Sequence, residues 1–209
     1  IMSERYFAEE SNIFSQVLKG LRGNRVAVLG HRRPDGDCIG SQVALVRVLN
    51  ALGIEAVAVN IDPAPRTLKH FIGDTPFCFG DELPKGEFLA VTVDCADHAR
   101  VGEVVQRRFD SVRLNVDHHV SNDHFAETNL VLHEASATGE ILAGLFFDND
   151  LPVDQVTAQA LYVGICTDTG QFCYSGTTSK VFDICRRLCD CGANPSDVAR
   201  ELYEREKPG

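Results

Sequence analysis

No stretch of the 209 residues approaches the ~18 consecutive apolar positions of a membrane-spanning helix. The N-terminal region also lacks the short apolar core of a signal peptide. The expected compartment is therefore the cytoplasm, with no membrane partner. Positive charge is scarce: 20 Lys and Arg stand against 30 Asp and Glu, a formal charge of −10. That balance excludes a grip on long duplex nucleic acid, which needs a basic surface. A small phosphate substrate stays admissible if metal ions supply the positive charge. The eight cysteines contain no Cys-x-x-Cys pair, so they are expected to be reduced and mostly buried as small hydrophobes, not to build a thiolate zinc site. Internal repeats and low-complexity segments are missing as well.

What is present suffices for one good core, but not for two full-sized domains. Apolar residues at Ile13, Phe14, Val17, Leu18 and Leu21 follow a helical period over 12–21. The short, nearly continuous apolar run at 25–30 reads as a strand buried on both faces, with further strands at 54–59, 88–93 and 111–116. A further edge strand is expected within 125–132. A helix is expected over 39–52, ended by Gly53, and the Pro-rich segment 60–87 reads as irregular. From residue 136 onward the pattern is helical: 136–148, 153–166, 177–191 and about 195–205. Alternating strands and helices predict an α/β fold, a mainly parallel sheet with helices on both faces, plus a helical C-terminal part.

In such sheets ligands bind beyond the carboxyl ends of the strands. His31, Asp35 and Asp37 follow the first expected strand, Asp94 the third, and Asp117, His118 and His119 the fourth. Asp168 follows the long apolar helix. Each has an ordinary explanation alone, as a turn residue, a helix cap or a solvated histidine. Their coincidence at one sheet edge does not. Four carboxylates, Asp35, Asp37, Asp94 and Asp168, at ~5 Å spacing and an effective dielectric of ~20 repel by about 3 kcal/mol per pair. The total, on the order of 20 kcal/mol, exceeds the stability of a typical domain. Two divalent cations balance four carboxylates, and carboxylate mixed with imidazole suits Mn²⁺ or Mg²⁺. Cys38 and Cys95 adjoin proposed ligands, but neighbours on a strand point to opposite faces, so neither is expected to coordinate.

The segments His31-Arg-Arg-Pro-Asp35-Gly-Asp37, Asp94, Asp117-His118-His119 and Thr167-Asp168-Thr169-Gly170 resemble, in order, the four motifs of the DHH phosphoesterases. The resemblance is strongest to the NrnA-like oligoribonucleases (nanoRNases), which can also act as phosphatases on 3′-phosphoadenosine 5′-phosphate (pAp). Supporting matches are Gly40-Ser41, Asp97-His-Ala-Arg100-Val-Gly102 and Ser136-Ala-Thr-Gly-Glu140, and the likeness runs from about residue 12 to 205. It implies that His31, Asp35 and Asp94 hold one metal, and Asp37, Asp94, His118 and Asp168 a second, with Asp94 bridging and Mn²⁺ favoured over Mg²⁺. His119 would face the scissile phosphate and Asp117 would orient the histidines. Ser136, Thr138 and Arg100 are candidate substrate contacts. The implied partners are short RNA oligonucleotides or a nucleoside bisphosphate as substrates, with a homodimer left open. By the same resemblance, 1–205 would be the catalytic domain and 206–209 the start of a linker to a C-terminal substrate-binding domain. Two other readings stay open: a manganese-dependent pyrophosphatase of the same superfamily, and a non-catalytic nucleotide-binding module.

Overall fold

The computed structural model describes residues 5–80, 82 and 84–204. The expected domain boundary at 205 and the linker 206–209 lie outside the described residues. In chain order the elements are α1 (Ala8–Leu21), β1 (Val26–Leu29), α2 (Gly36–Ala51), β2 (Ala56–Asn60), α3 (Lys69–Ile72), β3 (Phe77–Phe79) and β4 (Leu89–Val93). A 3₁₀ turn (His98–Val101), α4 (Glu103–Arg108), β5 (Val112–Asp117) and β6 (Thr128–Val131) follow. The chain closes with α5 (Thr138–Asp148), α6 (Gln155–Asp168), α7 (Ser179–Asp190), α8 (Pro195–Ala199) and a π turn (Arg200–Glu204).

The six strands are all parallel, in the order β3-β2-β1-β4-β5-β6. The α/β expectation holds. The chain winds outward from β1 to β3, then returns to lay β4 on the other side of β1. The loops leaving β1 and β4 therefore diverge and open a crevice at their carboxyl ends.

The two faces of the sheet are covered unequally. One carries the main core, where Val28, Val91 and Leu114 meet α1, α2, α5, α6 and α7. The other holds a smaller cluster of Ala27, Leu29, Val59, Ala90, Val101, Val105 and Phe109, roofed by the 3₁₀ turn and α4. Helix α2 lies between the sheet and α6, so it is buried nearly all round instead of along one stripe. The approach is close enough that a Cβ on Gly40 would stand 2.2 Å from the Ala160 carbonyl oxygen. Helix α7 shows the opposite pattern, with Val181, Ile184, Cys185 and Leu188 on one buried face. Side chains cap four helices: Asp35 on α2, Asp154 on α6, Thr178 on α7 and Asn194 on α8.

Several boundaries differ from expectation. Segment 60–87 contains α3 and the edge strand β3, whose three residues are too few to show a period. Phe77 and Phe79 stack on each other there, ring centroids 4.5 Å apart. Helix α2 starts at Gly36, three residues early, because Asp35 caps it. Helix α6 runs on to Asp168, so this carboxylate sits on the helix, not after it. The cysteines are free, but only Cys38, Cys95, Cys166 and Cys185 are buried, while Cys173 and Cys189 are exposed.

Candidate metal and phosphoryl site

At the end of β1 the chain turns through Gly30, where a Cβ would lie 2.5 Å from both Asn60 Oδ1 and Gln42 Oε1. His31 follows, buried, with Nδ1 2.8 Å from the Arg32 carbonyl oxygen. A carbonyl can only accept, so Nδ1 carries the proton and Nε2 is the nitrogen left for a ligand. That Nε2 lies 3.4 Å from Asp94 Oδ2 and 3.8 Å from Asp35 Oδ1.

Asp94 begins the loop after β4 with φ 55, a left-handed conformation uncommon outside glycine. Its surroundings hold it there. The Asp94 amide donates to Val116 O, and the next carbonyl, Cys95 O, accepts from the side-chain amides of Asn115 and Asn122. The two Asp94 oxygens face different partners. Oδ2 looks toward His31, while Oδ1 stands 3.7 Å from both His118 Nε2 and His119 Nδ1 and accepts from Thr138 Oγ1.

Asp37, in the first turn of α2, is fully buried between glycines. A Cβ on Gly164 would lie 2.6 Å, and one on Gly139 3.1 Å, from Asp37 Oδ1. Its carboxylate accepts from the amides of Thr138 (2.6 Å) and Gly139 (2.8 Å) at the start of α5. Those free amides and the helix dipole stabilise its charge. Burial nevertheless pushes the Asp37 carboxyl well above the usual range, and the charges of Asp94 and Asp168 push the same way.

His118 closes this side: Nε2 stands 3.3 Å from Asp168 Oδ2 and 3.8 Å from Asp37 Oδ2, with Nδ1 3.3 Å from Ala135 O. Burial alone would lower His118, but Asp168, Asp37 and Asp94 outweigh it and raise the imidazole to about 9. Burial raises Asp168 against the pull of His118. At β5's end Asp117 accepts from His119 Nδ1 (2.7 Å) and Asn122 Nδ2 (2.7 Å). Burial opposes its charge, yet these two bonds hold its carboxyl below the usual range. Its hydrogen bond in turn raises His119. Asp117 thus orients His119, whereas the backbone at Ala135 orients His118.

The site residues singled out in the sequence therefore converge, with three exceptions in detail. Thr138 is fully buried and spends its amide on Asp37 and its hydroxyl on Asp94. Ser136 gives both its amide and hydroxyl to Glu140. Arg100 is fixed through its backbone, its amide to Asp97 Oδ1 and its carbonyl to the Arg32 amide, and its guanidinium makes no hydrogen bond or ion pair with any described residue. Cys38 also departs from expectation. It lies in helix α2, so the alternation of strand neighbours does not apply, and its sulfur comes within 4.8 Å of His31 and Asp94 ligand atoms. Burial pushes this thiol up to about 11, and it is directed at Gln42 Oε1.

These donors fit divalent ions. Carboxylate and imidazole atoms gather within 4.8 Å in overlapping groups, Asp94–His118–His119 and Asp37–His118–Asp168, and beside them His31–Asp94. His118 Nε2 is buried and, though 3.3 Å from Asp168 Oδ2, makes no well-aligned hydrogen bond with any described residue, which leaves it open to a cation. Sequence reasoning missed the α5 amides and Asn122, because backbone donors and distant amides leave no residue pattern.

Residues 25–165 match the model of the DHH family, N-terminal domain. The chain is 32% identical over 202 residues to the bifunctional oligoribonuclease and PAP phosphatase NrnA of Thermus thermophilus, covering 96% of this chain and 60% of that protein. It is 26% identical over 190 residues to a manganese-dependent inorganic pyrophosphatase of Methanothrix thermoacetophila, covering 87% of this chain and 59% of the relative. An exopolyphosphatase-related protein from Bacteroides fragilis has the same fold, with TM-score 0.81 at 22% identity over 94% of this chain and 60% of its own. The chain thus spans about 60% of the length of these relatives. Among the described residues, no helix is long and apolar enough to cross a membrane.

Proposed function

The chain belongs to the DHH family, and from that premise we propose that it hydrolyses phosphoester bonds in short oligoribonucleotides or in a nucleoside 3′,5′-bisphosphate, using two divalent ions, Mn²⁺ before Mg²⁺. The reading rests on Asp94, whose two oxygens face two separate sets of histidines. His31, Asp35 and Asp94 would hold one ion, and Asp37, Asp94, His118 and Asp168 the other. Bound there, the ions would neutralise phosphoryl charge and acidify the attacking water.

The chain's own groups supply the rest. His31 and His118 are pinned through Nδ1 by backbone carbonyls, which presents Nε2 to the cation. Asp117 holds His119 by Nδ1 and raises its affinity for a proton, so a protonated imidazole would donate through Nε2 to a phosphoryl or leaving-group oxygen. Thr138 and the α5 amides fix the Asp37 and Asp94 carboxylates.

The pyrophosphatase relative keeps inorganic pyrophosphate as a second candidate substrate. Turnover of pApA, pAp and pyrophosphate by this chain with Mn²⁺ separates them. Release of AMP from pApA or pAp supports the proposal, and turnover of pyrophosphate alone replaces it. Nucleotide binding without hydrolysis of any of the three makes the protein a binding module.

A further inference from the structure

Among the described residues, the two most exposed large hydrophobic side chains both belong to loops that carry residues of the carboxylate–histidine cluster. Val120, 82% exposed, follows His119 directly, and Tyr174, 64% exposed, belongs to the loop that leaves Asp168. That loop is built with some strain. Gly170, Gln171 and Phe172 all take left-handed φ values of 55, 59 and 65. Thr169 braces the turn, its hydroxyl accepting from the Phe172 amide and its carbonyl from the amides of Cys173 and Tyr174. Phe172 turns inward between Tyr162 and Phe182. Tyr174 does not.

The phenol end of Tyr174 rests on Gly170, where a Cβ would lie 2.4 Å from the ring. The far end of the loop abuts the segment before α5, since a Cβ on Gly176 would meet Ser136 Cβ at 3.6 Å. The phenol end of the ring is thus held against Gly170, two residues beyond Asp168. Yet its hydroxyl makes no hydrogen bond, and the ring no aromatic or cation contact, with any described residue. A flat apolar surface on the loop that leaves Asp168, within a chain whose cluster suits phosphoryl groups, calls for a ligand that is anionic at one end and flat and apolar at the other. A nucleotide has both parts, whereas pyrophosphate has no apolar part.

The geometry points to Tyr174 as a specificity-determining residue whose ring stacks on a nucleobase of the substrate. This rests on the phosphoester reading above. The test mixes the chain and Mn²⁺ with a 5′-phosphorylated dinucleotide carrying 2-aminopurine, recording fluorescence by stopped flow before turnover. It also measures kcat and KM for pApA and for an analogue lacking both bases. Quenching is expected with the wild type and lost in Tyr174→Ala, where KM for pApA rises roughly tenfold while kcat changes much less. The rise is far smaller for the abasic analogue, and Tyr174→Phe restores quenching and KM. Equal quenching and KM in the wild type and the Ala variant overturn the assignment. So does a parallel loss of Mn²⁺ affinity that Phe does not rescue, which makes the loop a mere support for Asp168. Conversion of a dimer to a monomer with quenching intact also overturns it, giving the ring to a second copy. Quenching without hydrolysis of any dinucleotide sinks the phosphoesterase reading and spares the stacking. Hydrolysis of pApA indifferent to Tyr174 does the reverse.

Discussion

Asp35 and Asp37 stand one residue apart at the start of α2 and live in opposite surroundings. The Asp35 side chain is 59% exposed and that of Asp37 0%. Asp35 caps its own helix, accepting from the Cys38 amide. Burial opposes its charge, but His31 and the nearby amides more than offset this and hold it below the usual range. Asp37 instead faces the start of a different helix, α5, and burial drives its carboxyl upward. Two positions along a helix differ by about 200°, and Asp35 as the N-cap keeps extended backbone, which sends one carboxylate to the rim and the other beneath the floor. In the proposed ligand set the contrast would pair an accessible carboxylate with a buried one whose unfavourable charge a cation would offset.

Removing the carboxylate common to both sides has the largest effect. Asp94→Ala is expected to abolish Mn²⁺-dependent hydrolysis, a loss of at least ~10³-fold, and to lower metal stoichiometry in isothermal titration. Full activity with two bound ions would reject Asp94 as the shared ligand. Next comes the glycine that lets Asp37 hide. Gly164→Ala drives a Cβ to within 2.6 Å of Asp37 Oδ1 and should cost about 1–3 kcal/mol in urea unfolding, while leaving His31 and Asp35 in place. A neutral result would mean that the α2–α6 crossing is looser than these distances.

Asp35→Ala, by contrast, removes one cap and should cost about 1 kcal/mol. If it equals or exceeds Gly164→Ala, the difference between rim and floor is not one of packing. The comparison also sets the pH dependence. Asp37, Asp168 and the three site histidines bind protons more tightly folded than unfolded. Their stabilisation is complete below the unfolded values, near 4 for the carboxyls and 6.5 for the imidazoles, and is lost as pH rises through the folded ones, about 9 for His118. Asp35 runs the other way, losing its contribution only as pH falls below about 4. Between pH 5 and 9 the melting temperature in a chelator should therefore fall, and saturating Mn²⁺ should flatten the slope. A rising slope in the chelator would show that the Asp37 side is not the unstable one.

Much of this was legible before any coordinates. The nearly continuous apolar runs Val26–Leu29 and Leu89–Val93 declared strands covered on both faces, and such strands in alternation with helices imply a parallel sheet. Polar residues at the ends of those runs marked the edge that carries chemistry. Less legible were β3, three residues long, and the start of α2, where Pro-Asp-Gly-Asp suits a turn as well as a capped helix. Asp168 was found by its motif, but its place on the last turn of α6 was not.

The sequence by itself determined the fold class, the sheet edge and the types of side chain gathered there, because hydrophobic period and residue chemistry are local properties. Only the tertiary structure decided which carboxylate is buried, which nitrogen of each histidine is free, and that the α5 amides belong to Asp37. The burial of Asp37 and its hold by the α5 amides depend on contacts between residues about a hundred positions apart, as Thr138 and Asp37 are, and no window along the chain contains both. The free histidine nitrogens rest on nearer partners, Arg32 O, Ala135 O and Asp117, but only the folded loops set the direction of those hydrogen bonds.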